Sequence, residues 1–267
     1  MSRLATRFAA LNQAQRKALV TFITAGDPDQ ATTVPALHAL VAGGADVLEL
    51  GIPFSDPEAE GPTIQAASAR GLASGTTLAR VLEMVSEFRR DDQTTPIVLM
   101  GYLNSVLAMG TAVFAERAAA AGVDGLIMVN LPPEEAVEVA APIRAAGIDL
   151  VLLIAPTTTQ ERAKLILGEA AGFVYYVAVK GITGSDDLEV SSVADYLRWL
   201  TAETELPIMV GFGIKTPATA RAVAGHADGV VVGSALVTTM AELAHQPELI
   251  PAQLGDQVRA LRTALDA

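Results

Sequence analysis

The sequence predicts an α/β protein: a (β/α)8 TIM barrel with an extra N-terminal helix and an extended acidic loop after strand 2. Three observations predict it. Short β-rich apolar runs recur along the chain, helical patterns separate them, and the runs are apolar almost throughout instead of alternating. A parallel sheet buried on both faces requires that last feature. With 267 residues, 51% of them hydrophobic, the chain is long enough for one large core. The expectation is a single barrel domain over residues 1–267. An open doubly wound sheet stays as the other arrangement, because counting strands does not prove closure.

The elements follow in order. The segment MSRLATRFAALNQAQRK carries arginines and no acids, as a transit peptide does. Leu4, Phe8 and Leu11 nevertheless share one helical face, so it reads as an amphipathic helix that closes the core. The strands are 18–24 (ALVTFIT), 46–50 (DVLEL), 96–100 (PIVLM) and 125–129 (GLIMV). Four more are 149–154 (DLVLLI), 173–177 (FVYYV), 207–210 (PIMV) and 229–232 (GVVV). Several helix starts are readable. Thr158 and Glu161 form a candidate capping box before RAKLIL. Thr216-Pro217 reads as N-cap and first helical position. Pro132 and Pro133, followed by Glu134 and Glu135, mark another start, with acids where the helix dipole favours them. Pro35 lies in a first helical turn or bends its helix. The interval from 50 to 96 is longer than one helix needs and leaves room for the acidic loop GIPFSDPEAEGP.

Composition narrows the function. A net charge of −12 and a pI of about 4.6, with no basic stripe, argue against a nucleic-acid binder. The chain has no cysteine, which removes disulfides, thiolate catalysis and thiolate metal ligands. No apolar run approaches the roughly 18 residues of a membrane span, and the expected compartment is the cytoplasm. His38, His226 and His245 are far apart in sequence and read as surface residues, so no metal site is expected.

Catalytic groups of a barrel sit at the C-terminal ends of its strands. Glu49 stands at the end of the second strand, inside an apolar run. Apolar walls would raise its pKa and suit it to acid–base work near neutral pH; an ion-paired structural glutamate is the other reading. Glycine supplies the second signal. Gly211-Phe212-Gly213-Ile214 follows strand seven, and Gly233-Ser234-Ala235 follows strand eight. Loops at those two places, with a helix N-terminus, form the usual phosphate site of this fold. The loop Lys180-Gly181-Ile182-Thr183-Gly184 after strand six supplies further donors. Lys180 itself reads as a phosphate-steering or solvated group, with a Schiff-base lysine as the alternative.

Taken together, TFITAGDPD, LELGIPFSDPEAEGPTIQAAS, PIVLMGYLN, GVDGLIMVNLPPEEA, GFVYYVAVKGITG, VGFGIKTP and ADGVVVGSA resemble the tryptophan synthase α subunit, over roughly residues 21–237. The resemblance implies retro-aldol cleavage of indole-3-glycerol phosphate to indole and glyceraldehyde 3-phosphate, without metal or cofactor. It implies a pyridoxal-phosphate-bearing β subunit as partner, in an α2β2 assembly that receives the indole. It implies that Glu49 does the acid–base work, that Glu60 accepts the ring N–H, and that Tyr175 orients Glu49. By the same resemblance Thr183 helps to close the strand-six loop. Phe22, Met100, Ile127 and Phe212 wall the indole pocket, and Gly184, Gly213, Gly233 and Ser234 hold the phosphate. The chain departs from the family pattern at Glu60, where aspartate is usual, at Asn130, where the family reads Pro-Asp-Leu-Pro, and at Glu58, where an apolar residue is common. A stand-alone indole-releasing lyase and a non-catalytic regulatory barrel that binds a phosphate ligand are the alternatives these departures keep open.

Overall fold

A computed structural model describes residues 2–177, 187–211 and 213–267. Eight strands form a closed, all-parallel barrel in the order β1-β2-β3-β4-β5-β6-β7-β8, which settles the choice against an open sheet. They are β1 (Ala18–Thr24), β2 (Val47–Gly51), β3 (Ile97–Gly101), β4 (Gly125–Met128), β5 (Asp149–Ile154), β6 (Val174–Val177), β7 (Ile208–Gly211) and β8 (Gly229–Val232). The helices are α1 (Arg3–Gln13), α2 (Gln30–Gly43), α3 (Pro62–Ala73), α4 (Leu78–Phe88), α5 (Leu103–Met109) and α6 (Thr111–Ala121). They continue with α7 (Pro133–Ala145), α8 (Gln160–Glu169), α9 (Asp187–Glu203), α10 (Pro217–Ala224), α11 (Ser234–Glu242) and α12 (Ile250–Asp266).

Each strand divides its side chains between two cores, because successive residues point to opposite faces. Leu19 and Ile23 of β1 join the layer between barrel and helices, whereas Ala18 and Val20 join the barrel interior. Leu48 and Leu50 against Val47, and Ile97 and Leu99 against Val98, repeat the division. Apolar residues at both phases explain why the strands read as continuous hydrophobic runs.

The interval after β2 holds more than a loop. The acidic segment leads into α3, and α4 follows before β3. A bidentate pair fixes α3: Arg70 donates from Nε (2.6 Å) and Nη2 (2.9 Å) to the fully buried Asp27 on the loop after β1. Helix starts follow local chemistry. Thr216 caps α10 by accepting from the Thr219 amide, as its sequence predicts. At α8 the cap is Thr159, accepting from the Arg162 amide, and not Thr158. The Thr158 hydroxyl is engaged one turn earlier, accepting from the Ala155 amide at 3.0 Å. Pro35 lies inside α2, past its first turn, which starts at the Asp29 cap.

α1 seals the barrel floor. Leu4, Phe8 and Leu11 enter the interior cluster with Val20, Val98 and Phe173, and Phe8 meets Phe173 edge-on at 5.8 Å. Acids at the strand starts hold this end, Asp46 and Asp124 buried and Asp228 exposed. Asp46 accepts the Leu19 amide (2.9 Å) and the Arg262 guanidinium (3.0 Å). Asp124 accepts the Ile97 amide (2.8 Å), Arg89 (2.7 Å) and Arg3 of α1 (2.9 Å). Asp228 accepts the Ile208 amide at 2.8 Å. In each case the acid before one strand fixes the start of the preceding strand.

Candidate active site

The opposite end of the barrel opens into a cavity of ≈ 840 Å3. Phe22 of β1, Glu49 of β2, Met100 of β3, Leu153 of β5 and Tyr175 of β6 form its wall, and Glu60 reaches it from the acidic loop. These strand residues share the inward phase, which is why separate strands deliver them to one space.

Glu49 is 1% exposed, and its Oε2 has no hydrogen-bond partner. Burial first, and the nearby Glu60 second, raise its pKa to about 8. Burial raises Glu60 to about 7. The two carboxyls face one apolar space and influence each other, so they titrate as a pair. Both shifts are upward, so near neutral pH the pair keeps a proton that ordinary carboxyls would have lost. Tyr175 is pushed well above the ordinary tyrosine range, by burial and then by Glu49 and Glu60, and keeps its hydroxyl proton. Its ring fits because residue 211 is glycine: a Cβ there would meet the Tyr175 hydroxyl oxygen at 2.3 Å.

Three side chains hold the acidic loop. Tyr102 accepts the Ala59 amide at 2.8 Å and stacks on Phe54, with ring centroids 4.8 Å apart. Gln65 Nε2 donates to the Glu60 carbonyl at 2.9 Å. Ser68 Oγ accepts the Phe54 amide (2.7 Å) and donates to the Phe54 carbonyl (2.8 Å). These contacts set the backbone from which Glu60 projects. Sequence reasoning did not single out Tyr102, Gln65 or Ser68; the tyrosine that follows the strand-end Gly101 is the one visible signal.

Gly213, Gly233 and Ser234 also line the cavity. Gly213 adopts φ +79°, a left-handed conformation that a side chain would strain. Ser234 opens α11, whose first-turn amides have no helical acceptors and favour an anion. Lys215 lines the same region.

Ile127 behaves differently from its expectation. It is fully buried among Val98, Val151 and Met209 and does not line the cavity, because it sits lower in the interior and supports the floor beneath it. Thr183, Gly184, Lys180 and Phe212 lie outside the described residues. Asn130, after β4, ties that loop to the start of α5, accepting from the Leu103 amide (2.8 Å) and donating to Asn104 (3.1 Å). Glu58 is exposed on the tight turn of the acidic loop. His226 and His245 are exposed, whereas His38 is half-buried and stacks on Phe88 at 4.6 Å. Among the described residues no cluster of three or more His, Cys, Asp or Glu is placed to hold a metal, and no helix is long and apolar enough to cross a membrane.

Comparison with known proteins converges on one family. A family model described as tryptophan synthase alpha chain matches residues 8–266. The tryptophan synthase alpha chain of Alkalilimnicola ehrlichii is 53% identical over 266 residues, covering 100% of this chain and 97% of the relative. That of Nitrosococcus oceani is 50% identical over 267 residues, covering 100% and 98%. Among solved structures, tryptophan synthase subunit alpha from Legionella pneumophila superposes with a TM-score of 0.92 at 42% identity, covering 100% of this chain and 99% of that one. A chain of tryptophan synthase from M. tuberculosis, in an aminoacrylate-bound form, superposes with a TM-score of 0.85 at 33% identity, covering 98% and 100%.

Proposed function

The chain belongs to the tryptophan synthase alpha chain family, and from that premise we propose how its cavity carries out the family's reaction. The reaction is the lyase cleavage of indole-3-glycerol phosphate to indole and glyceraldehyde 3-phosphate. The alpha chain runs it without a cofactor; pyridoxal phosphate belongs to the β subunit.

Bond cleavage must leave an electron pair on C3 of the indole ring, a poor site for a carbanion. Protonating C3 first gives an indolenine, whose positive nitrogen accepts that pair. The neighbouring hydroxyl loses its proton and becomes the aldehyde of the second product. One proton enters at C3 and one leaves the hydroxyl, so a single carboxyl can perform both transfers. Glu49 fits this role because it is protonated near neutral pH and, once it has donated, is a strong base. Glu60, in its ionised form, accepts the ring N–H and stabilises the positive charge that develops there. Tyr175 keeps Glu49 in place. Phe22 and Met100 pack on the indole ring, and Gly213, Gly233 and Ser234 receive the phosphate with backbone and hydroxyl donors.

The observation that carries this reading is the buried, partly unpartnered Glu49 carboxyl in a cavity that is also lined by glycines and a helix N-terminus. Indole release from indole-3-glycerol phosphate tests it. Glu49→Gln should lower kcat by about 10²–10⁴-fold with little change in phosphate-ligand affinity. Retention of more than about a tenth of wild-type kcat, a barrier change under about 1.4 kcal/mol, would count against it. We further propose that the β-subunit partnership takes the α2β2 form and that the enzyme works in the cytoplasm. Turnover that rises on adding a β subunit, with co-elution at the mass of four chains, supports that assembly. Turnover unaffected by the β subunit would favour a stand-alone lyase.

A further inference from the structure

A second, much smaller space lies behind Glu60. It measures ≈ 20 Å3, about the room one water needs, and Thr24, Phe54, Glu60, Ser68 and Tyr102 are among its walls. Glu60 lines both this niche and the large cavity, whereas Thr24 lines the niche alone. Thr24 is the last residue of β1, in the same inward phase as Phe22. It is 2% exposed, and its Oγ1 has no hydrogen-bond partner. A buried hydroxyl left unpaired is unfavourable, and a valine of the same shape would avoid the cost. Its neighbours do not satisfy it. Ser68 Oγ is engaged in both directions by Phe54, and the Tyr102 hydroxyl oxygen is already accepting from Ala59. Each of those hydroxyls keeps one lone pair, but the Glu60 carboxyl is the one side-chain acceptor of the niche that can carry a negative charge and so make the strongest bond.

Resting on the reading of Glu60 as the ring N–H acceptor, we propose that Thr24 is a positioning residue for Glu60. Its hydroxyl donates to one carboxylate oxygen within the niche and leaves the other oxygen aimed at the indole nitrogen. The longer arm of glutamate is what makes this anchor reachable; an aspartate from the same backbone position ends about 1.5 Å, one C–C bond, short of it. Thr24 thereby fixes the orientation of the Glu60 side chain, while the backbone behind it is held by Tyr102 and Gln65.

Steady-state indole release by Thr24→Val, Thr24→Ser, Glu60→Asp and the double variant Thr24→Val/Glu60→Asp tests the proposal. Thr24→Val should lower kcat about tenfold with KM nearly unchanged, the effect of losing one hydrogen bond to a charged group. Thr24→Ser, which keeps the hydroxyl, should restore kcat to within about twofold of wild type. In the Glu60→Asp background the valine should change kcat by less than about twofold, since the partner no longer reaches. Wild-type kcat in Thr24→Val, an equal loss with aspartate at 60, or a serine variant as impaired as valine while equally resistant to urea would each overturn it. Glu60→Ala separates the two levels: if it retains wild-type kcat, the role given to Glu60 fails regardless of what Thr24 does.

Discussion

Asp46 and Glu49 stand three residues apart around the same strand, both almost wholly buried, and live in opposite chemical worlds. At the floor, Asp46 has the Leu19 amide, Arg262 and Arg7 around it. Burial still raises its pKa, but all three partners work against the rise. At the mouth, nothing opposes the burial of Glu49, and Glu60 adds to it. The first arrangement fixes a charge where it holds strands and α1 together. The second leaves a proton poised to move. Burial alone does not make a carboxyl catalytic; the partners around it decide which of the two it becomes.

The comparison can be broken at either end. The largest effect is expected at the floor. Asp124→Ala leaves the 5%-exposed Arg89 without its carboxylate and also removes the anchor of Arg3. Urea unfolding should show a loss of about 3–5 kcal/mol, while kcat per folded molecule holds. An equal loss of activity and stability would place Asp124 in the machinery of the mouth. At the mouth the sign reverses. The folded chain keeps a proton on Glu49 up to about pH 8, where the unfolded chain has lost it above about 4.5. Stability therefore falls as pH rises across that interval, and Glu60 adds to the fall up to about pH 7. Glu49→Gln should flatten the slope and stabilise the chain by on the order of 1–3 kcal/mol at pH 8.5, with no gain at pH 4.5. A variant less stable than wild type at pH 8.5 would contradict the unopposed burial of Glu49. The smallest effect concerns the length of the second acid. Glu60→Asp should keep kcat within about tenfold of wild type, whereas Glu60→Ala should not. Equal inactivity of the two would mean that the acid at 60 is not exchangeable for the shorter one.

Much of this was legible in the sequence, and the exceptions share a cause. The barrel could be read because strands with two buried faces must be apolar at both phases, as Leu19 beside Val20 illustrates. α1 was legible because Leu4, Phe8 and Leu11 keep helical spacing and are all buried. Glu49 was visible as a carboxylate inside an apolar strand. Glu60 needed the family resemblance, since an acid among loop acids has no local signature. Asp46 read as the first residue of a strand, and Asp124 and Asp228 carried no signal; their work lies with the amides of strands about 20–30 residues away. Thr24 read as a β-branched strand residue and nothing more, because the niche beside it forms only when the acidic loop and Tyr102 arrive from elsewhere. The α8 cap lies one residue later than the Thr158 expected from the sequence, because the Thr158 hydroxyl is taken up by the neighbouring turn and Thr159 caps instead.

Barrel closure has a consequence for how the chain is made. β1 pairs with β8, Ala18 facing Gly229, so the first strand to leave the ribosome awaits the last for one of its two neighbours. At about 5–20 residues per second, that edge stays bare for on the order of ten to forty seconds. During synthesis that edge of β1 is open to pairing with another chain until β8 arrives.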